Sequence, residues 1–165
     1  MRNTEIPREL IVMIGMTCAG KTYHVDKFYL ASHQIISSRH IKQALKNMGI
    51  ANDELLYMNM DVVARANMLK GLPIIVDENN LTVESLFIWK KLCNEHKYQI
   101  KGVLIDTPLE VCVKRLSSLI EGELSEQDHQ RLKEEYDQIE ELKILLNMKY
   151  QNILGKVNTI TYNGG

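Results

Sequence analysis

Gly15-Met16-Thr17-Cys18-Ala19-Gly20-Lys21-Thr22 completes the phosphate-binding pattern G-x-x-x-x-G-K-[ST]. The apolar run Leu10-Ile11-Val12-Met13-Ile14 in front of it reads as a buried strand. A helical segment from Lys21 to about Leu30 follows, with Val25, Phe28 and Tyr29 spaced for one face. Strand, glycine loop and helix in that order make an anion cradle, because backbone N–H groups turn inward and the helix N-terminus adds positive potential. In such a cradle Lys21 reaches the outer phosphates and the Thr22 hydroxyl ligates Mg²⁺. Gly15, Met16, Thr17, Cys18, Ala19, Gly20 and, just past the loop, Tyr23 are the expected nucleotide-binding neighbours. With average glycine and lysine usage the pattern arises by accident in fewer than about one chain in a hundred of this length. The ordinary alternative, a strand-to-helix turn with a chance lysine, leaves the flanking context unexplained. A nucleoside triphosphate, ATP or another, is the predicted ligand, with Mg²⁺.

The 165 residues suffice for one core, so a single domain over 1–165 is expected. Apolar residues at 45% and charged residues at 25% are globular proportions. The net charge of −1 provides no global basic field, so a polynucleotide could be held only by a local patch. No apolar run approaches a membrane span, and MRNTEIPREL lacks the apolar stretch of a signal peptide. Cys18, Cys93 and Cys112 are odd in number and share no disulfide or metal spacing, so three free thiols in a reducing cytoplasm are expected. The histidines, 24, 33, 40, 96 and 129, are scattered and suit packing or solvent roles. Nothing in the sequence specifies an oligomeric state.

Further short apolar runs read as strands at 34–37, 74–76, 103–105 and 157–162. Helical periodicity fills the gaps. One segment runs from Arg39 to Met48 and ends at Gly49. A longer one starts near Asp53, carries Leu55, Met58, Val62, Ala66 and Leu69 at steps of three and four, and stops at Gly71 and Pro73. Val83 to His96 presents Leu86, Phe87, Trp89, Leu92 and Cys93, and Pro108 suits the first turn of a helix to about Ser117. Ser125 and Asp128 resemble a capping pair, opening a helix with Leu132, Tyr136 and Ile139 on one face and helical character towards Leu154. Residues 120–123 and the pair Gly164-Gly165 look loose. Strands alternating with helices predict a three-layer α/β domain with five parallel strands and the ligand at their carboxyl ends.

Two strands end in a carboxylate, Asp77 and Asp106, and either could face phosphate-bound Mg²⁺. The simplest sheet order favours Asp77, and Asp106 before Thr107-Pro108 better fits a helix cap. Arg115 late in its helix could close over a transferring phosphoryl group, or simply complement the helix dipole; Lys114 fits the second role better. At the end of the second strand, Ser38, Arg39 and Lys42 are expected on the acceptor side, with Asn80 after the third strand; an exposed helix start is the plainer account.

The loop, IISSRHIKQAL, ANMLKGLPIIVDENNLT, GVLIDTPLEVCVKRL and LSEQDHQRLKEEY together resemble the polynucleotide kinase branch of the P-loop kinases, which also holds zeta-toxin-like and small-metabolite kinases. The resemblance covers Leu10 to about Tyr136, and its most specific piece after the loop is I-I-V-D-x-N-N-L-T at 74–82. It implies a P-loop NTPase fold and Mg²⁺-ATP-dependent transfer of the γ-phosphate to a hydroxyl of a nucleic acid, nucleotide or small metabolite. By the same resemblance Lys21 and Thr22 hold phosphates and metal, Asp77 is the metal-side carboxylate, and Arg115 is the first lid arginine. Three places depart from the family's pattern. Arg39 stands where an aspartate usually accepts the substrate proton, with Lys42 for a later arginine; Leu119 stands for the second lid arginine; and an arginine after N-L-T is replaced near Ser85. The ATP half is intact and the acceptor half altered. A catalytically impaired nucleotide-binding module is therefore the alternative expectation.

Overall fold

A computed structural model of the chain describes residues 5–148 and 152–163. Its strands are β1 (Glu9–Ile14), β2 (Gln34–Ile36), β3 (Ile74–Val76), β4 (Gln99–Asp106) and β5 (Val157–Thr161). The helices are α1 (Lys21–Phe28), α2 (Ser38–Asn47), α3 (Asp53–Leu69), α4 (Val83–His96), α5 (Leu109–Ile120) and α6 (Glu126–Met148). The sheet order is β2-β3-β1-β4-β5, and every pairing is parallel, with Leu10 opposite Ile74 on one side and Ile100 on the other. Successive strand residues face opposite sides, yet Leu10 to Ile14 are all at most 4% exposed. Both faces of the sheet are therefore covered by helices, as the expected α/β layering requires. Between β1 and β3 the chain reverses its direction of travel across the sheet, and the crevice at such a switch point is where α/β sheets hold ligands.

Several element ends have local causes. Asn52 accepts the Leu55 N–H at 3.1 Å to open α3, and Thr82 accepts the Ser85 N–H at 3.3 Å to open α4. The expected Ser125–Asp128 box is present: the Ser125 hydroxyl donates to Asp128 at 2.8 Å, and the Asp128 N–H donates back at 3.1 Å. β4 is eight residues long rather than three, because it pairs with both β1 and β5, and Lys101 within it donates to Glu9 on β1. Gly102 lets Leu154 pack close: a Cβ would come within 2.7 Å of the Leu154 side chain and displace it. Pro108 precedes α5 rather than occupying its first turn, and α5 runs to Ile120, beyond the expected Ser117, before Glu121 takes a left-handed φ of 54°. Residues 152–154 form a turn rather than more helix; 149–151 and the pair Gly164-Gly165 lie outside the described residues. β5, expected as a covered strand, is exposed along its length because it is the sheet edge.

Two helix faces differ from expectation. Phe28 is 58% exposed, its ring against His24 at 4.6 Å, so Val25 alone is fully buried from α1's apolar set. On α3 the buried stripe is Leu56, Met60, Ala64 and Met68, whereas Met58, Val62 and Leu69 of the expected stripe are 58%, 62% and 78% exposed. The helix carries two apolar stripes with helical spacing, and only the position of the sheet selects between them. On α4, Leu86, Trp89, Leu92 and Cys93 are buried as expected, while Phe87 is 47% exposed. No helix among the described residues is long and apolar enough to cross a membrane.

The inversion on α3 has a direct consequence for stability. Met60→Ala should cost ~2–5 kcal/mol in chemical denaturation. Met58→Ala should stay within ~0.5 kcal/mol of the wild type.

Candidate phosphate-binding site

The loop of residues 15–20 turns at the carboxyl end of β1 with two left-handed residues, Cys18 at φ 62° and Gly20 at φ 108°. At Gly15 a Cβ would press to 3.2 Å from the Ile105 carbonyl, so a side chain there would crowd the backbone at the end of β4. The loop is gripped from three sides: the β3 end, the β4–α5 junction with α5, and α6. From the β3 end, the Asn79 carbonyl accepts the Gly15 N–H at 3.0 Å. From the β4–α5 junction, the Thr107 hydroxyl donates to the Ala19 carbonyl at 2.8 Å; from α5, Arg115 Nη1 donates to the Cys18 and Ala19 carbonyls, each at 3.1 Å. From α6, Glu135 accepts the Thr17 N–H at 2.8 Å and the Thr17 hydroxyl at 2.9 Å. The Asn79 amide adds longer contacts to Glu135 and to the Thr17 hydroxyl, 3.3 and 3.4 Å.

With carbonyls of the loop held from behind, the first-turn N–H groups of α1 remain. Gly20 caps that helix without a side-chain bond, so those amides point out of the helix N-terminus with its partial positive charge. Lys21, 8% exposed, folds its ammonium onto the Met16 carbonyl at 2.6 Å. Burial holds its pKa below the usual lysine range, with Asp77 and Glu135 opposing that shift. The Thr22 hydroxyl donates to Asp77 at 2.8 Å. Two hard oxygen donors, one from the first turn of α1 and one from the end of β3, thus meet at the foot of α1, a donor set that fits Mg²⁺. Asp106 is engaged elsewhere: its carboxylate takes the Lys143 ammonium at 2.9 Å. It is not the cap of α5, whose N-cap position is Pro108.

Around the loop opens a cleft of about 1590 Å³, larger than the ~300–1,000 Å³ of a single-ligand pocket. Thr17, Cys18, Ala19, Gly20, Lys21, Thr22, Tyr23, Asp77 and Arg115 line it, as do Ser38 and Arg39. Lys42 is exposed and does not line it. Asn80 is 8% exposed and donates its amide to the Met13 carbonyl at 2.7 Å, with its own backbone at a left-handed φ of 49°. Its side chain supports β1 rather than facing the cleft. Gly15 and Met16 act through backbone atoms behind it. Arg115 lies 5.5 Å above the Tyr162 ring while it grips the loop. Leu119, at the place of the second lid arginine, lines the cleft and is 72% exposed. Burial pushes the Cys18 thiol up, with Lys21 and Arg115 opposing, which suits a small residue in a tight turn rather than a reactive thiolate.

Sequence reasoning passed over Glu135, Thr107 and Tyr162. Glu135 had a signal. It falls three after Leu132 and four before Ile139, on the buried face of α6, and a glutamate there needs polar partners.

Among curated proteins no sequence matches the chain. A candidate kinase from Chloroflexus aurantiacus superposes with a TM-score of 0.67 at 16% identity, over 96% of this chain and 87% of that one. A chain of the Pnkp1/Rnl/Hen1 RNA repair complex gives 0.72 at 17% identity, over 87% of this chain and 47% of that one, so this chain spans about half of it. The APS kinase CysC of Mycobacterium tuberculosis, solved with AMPPNP and APS, gives 0.51 at 19% identity over 66% and 69% of the two chains. These likenesses establish the fold, a five-stranded parallel sheet flanked by helices as in P-loop NTPases. The sequence of residues 10–141 matches the family model AAA_33, described as an AAA domain, and the chain belongs to that family.

Proposed function

We propose that this protein is an ATP- and Mg²⁺-dependent phosphotransferase, acting as one kinase-like domain of the polynucleotide kinase and zeta-toxin-like type. It passes the γ-phosphate of ATP to a hydroxyl of a nucleic acid or nucleotide. The observation that carries this reading is the Thr22–Asp77 contact at 2.8 Å, directly beside the buried ammonium of Lys21 and the amide-rich loop. That is the arrangement a triphosphate needs: N–H groups and an ammonium for the phosphate oxygens, and oxygen donors for the cation that accompanies them. A Mg²⁺ held by Thr22 and Asp77 would neutralise charge on the β- and γ-phosphate oxygens. Lys21 binds the outer phosphates, and the first-turn amides of α1 orient them. Arg115, gripping the loop from α5, brings a second cation to the same end of the cleft. Preorganised donors of this kind are worth ~10²–10³-fold each in rate.

The cleft volume leaves space for an acceptor beside the nucleotide. Arg39 supports an anionic one: it is exposed, lines the cleft, and has no hydrogen bond or ion pair among the described residues. The same residue supports the second reading, a nucleotide-binding module without transfer, since it replaces a carboxylate with a cation. Three free thiols, two of them buried, accord with a reducing cytoplasm as the site of action.

Turnover separates the readings. With Mg²⁺ and γ-labelled ATP, the chain should label 5′-hydroxyl oligonucleotides or members of a nucleoside and nucleotide panel, and Lys21→Ala should reduce labelling to background. Nucleotide-induced thermal stabilisation without any labelling or hydrolysis would instead establish the binding module.

The grip of α6 on the loop is testable in the same assays. Glu135→Ala leaves the Thr17 N–H without its acceptor, which should cost ~1–3 kcal/mol of stability in thermal denaturation and weaken ATP binding in calorimetry.

A further inference from the structure

Among the described residues, two carboxylates line the cleft, Asp77 and Glu78. Asp77 accepts the Thr22 hydroxyl and belongs to the phosphate side. Glu78 belongs to the other side. The Ser38 N–H donates to one of its carboxylate oxygens, and the Ser38 hydroxyl donates to the other at 2.8 Å. The half-buried Glu78 carboxylate is thereby pinned, through both oxygens, to the first residue of α2, immediately before Arg39. Other nearby acidic side chains do not compete for this place. Asp53, Glu54 and Asp61 belong to α3, do not line the cleft, and Asp61 accepts Arg65 at 2.8 Å.

We infer that Glu78 is the catalytic carboxylate of the acceptor half, taking over the proton-accepting duty that Arg39 cannot perform. This assignment rests on the phosphotransfer reading above. The acceptor hydroxyl donates a hydrogen bond to a Glu78 oxygen. As a lone pair of that hydroxyl oxygen forms the new bond to the γ-phosphorus, the bond from the γ-phosphorus to the β–γ bridging oxygen breaks. Its electron pair leaves with the nucleoside diphosphate, and the hydroxyl proton passes to Glu78. Each carboxylate oxygen carries lone pairs beyond the one that Ser38 occupies, so holding α2 and accepting a proton are compatible. Ser38 also fixes the carboxylate against rotation, which a base needs if it is to meet the hydroxyl within hydrogen-bond reach.

The test compares the full chain with Glu78→Gln, which keeps an oxygen for the Ser38 N–H but cannot take the proton. On an acceptor that the wild-type chain labels, kcat of Glu78→Gln should fall ~10²–10⁴-fold. The KM for ATP and the melting temperature should stay at wild-type values. The double variant Glu78→Gln/Arg39→Asp, which supplies a carboxylate from the neighbouring backbone position, should regain roughly tenfold or more of that loss. A kcat of Glu78→Gln within about threefold of wild type overturns the assignment. So does a loss matched in ATP affinity and melting temperature with no regain in the double variant. If the wild-type chain labels no acceptor above the Lys21→Ala control, the phosphotransfer reading fails and takes this assignment with it. If wild type and Glu78→Gln label equally, Glu78 alone is removed.

Discussion

A backbone that passes through left-handed conformations at Cys18 and Gly20 does not hold itself in place. For a residue with a Cβ such a conformation costs about 1–2 kcal/mol, and Cys18 adopts it because three other parts of the chain hold its neighbours. Asn79 holds the loop's entry, Thr107 and Arg115 hold the carbonyls of its far side, and Glu135 holds its apex. These anchors come from the β3 end, the β4–α5 junction and α5 itself, and α6. The sheet order places the first two beside β1, on opposite sides. The cradle is thus a product of the whole fold. The Gly15, Thr17 and Ala19 N–H groups are spent on holding the loop's shape, so the amides left for the cleft are those of the first turn of α1.

Charge is concentrated at the same point. Lys21, Asp77 and Glu135 are each at most 9% exposed. Isolated charges at that depth would be costly, and burial does depress the Lys21 pKa. The cost is limited by direct partners: Met16 for Lys21, Thr22 for Asp77, Thr17 for Glu135. Every buried side-chain polar atom among the described residues has a partner. What this arrangement retains is a strong local field in a low-dielectric setting, where preorganised dipoles act more strongly than in water. The net charge of −1 conceals it entirely.

The two halves of the cleft were specified differently. The loop and the start of α1 are consecutive residues, so that part is contained in a short stretch even though distant segments hold it in shape. The opposite side of the cleft is assembled from the β2–α2 junction and the residues just after β3, which come together because Gln34 to Ile36 pair in register with Ile74 to Val76. That register carries Ser38 to Glu78, forty positions away. A cation at Arg39 and a carboxylate at Glu78 then occupy one edge of the cleft, although they lie on separate segments of the chain.

By itself the sequence determined the loop, the strand before it, the helix after it and the alternation that makes a parallel sheet. These are local matters of spacing and backbone chemistry, and Ser125–Asp128 and the stops at Gly49 and Gly71 are of the same kind. Sequence separates Asp77 from Asp106 only through an assumed sheet order and a capping preference; in the structure both strands flank β1, and of the two carboxylates Asp77 is the one that meets Thr22. Tertiary structure also chose the buried stripe of α3, extended β4 by pairing it on both sides, turned Asn80 towards Met13, and delivered Glu135 and Arg115 to the loop. Each of those outcomes depends on a partner distant in the chain. Periodicity and propensity record how a segment can fold, but not which neighbour its faces will meet.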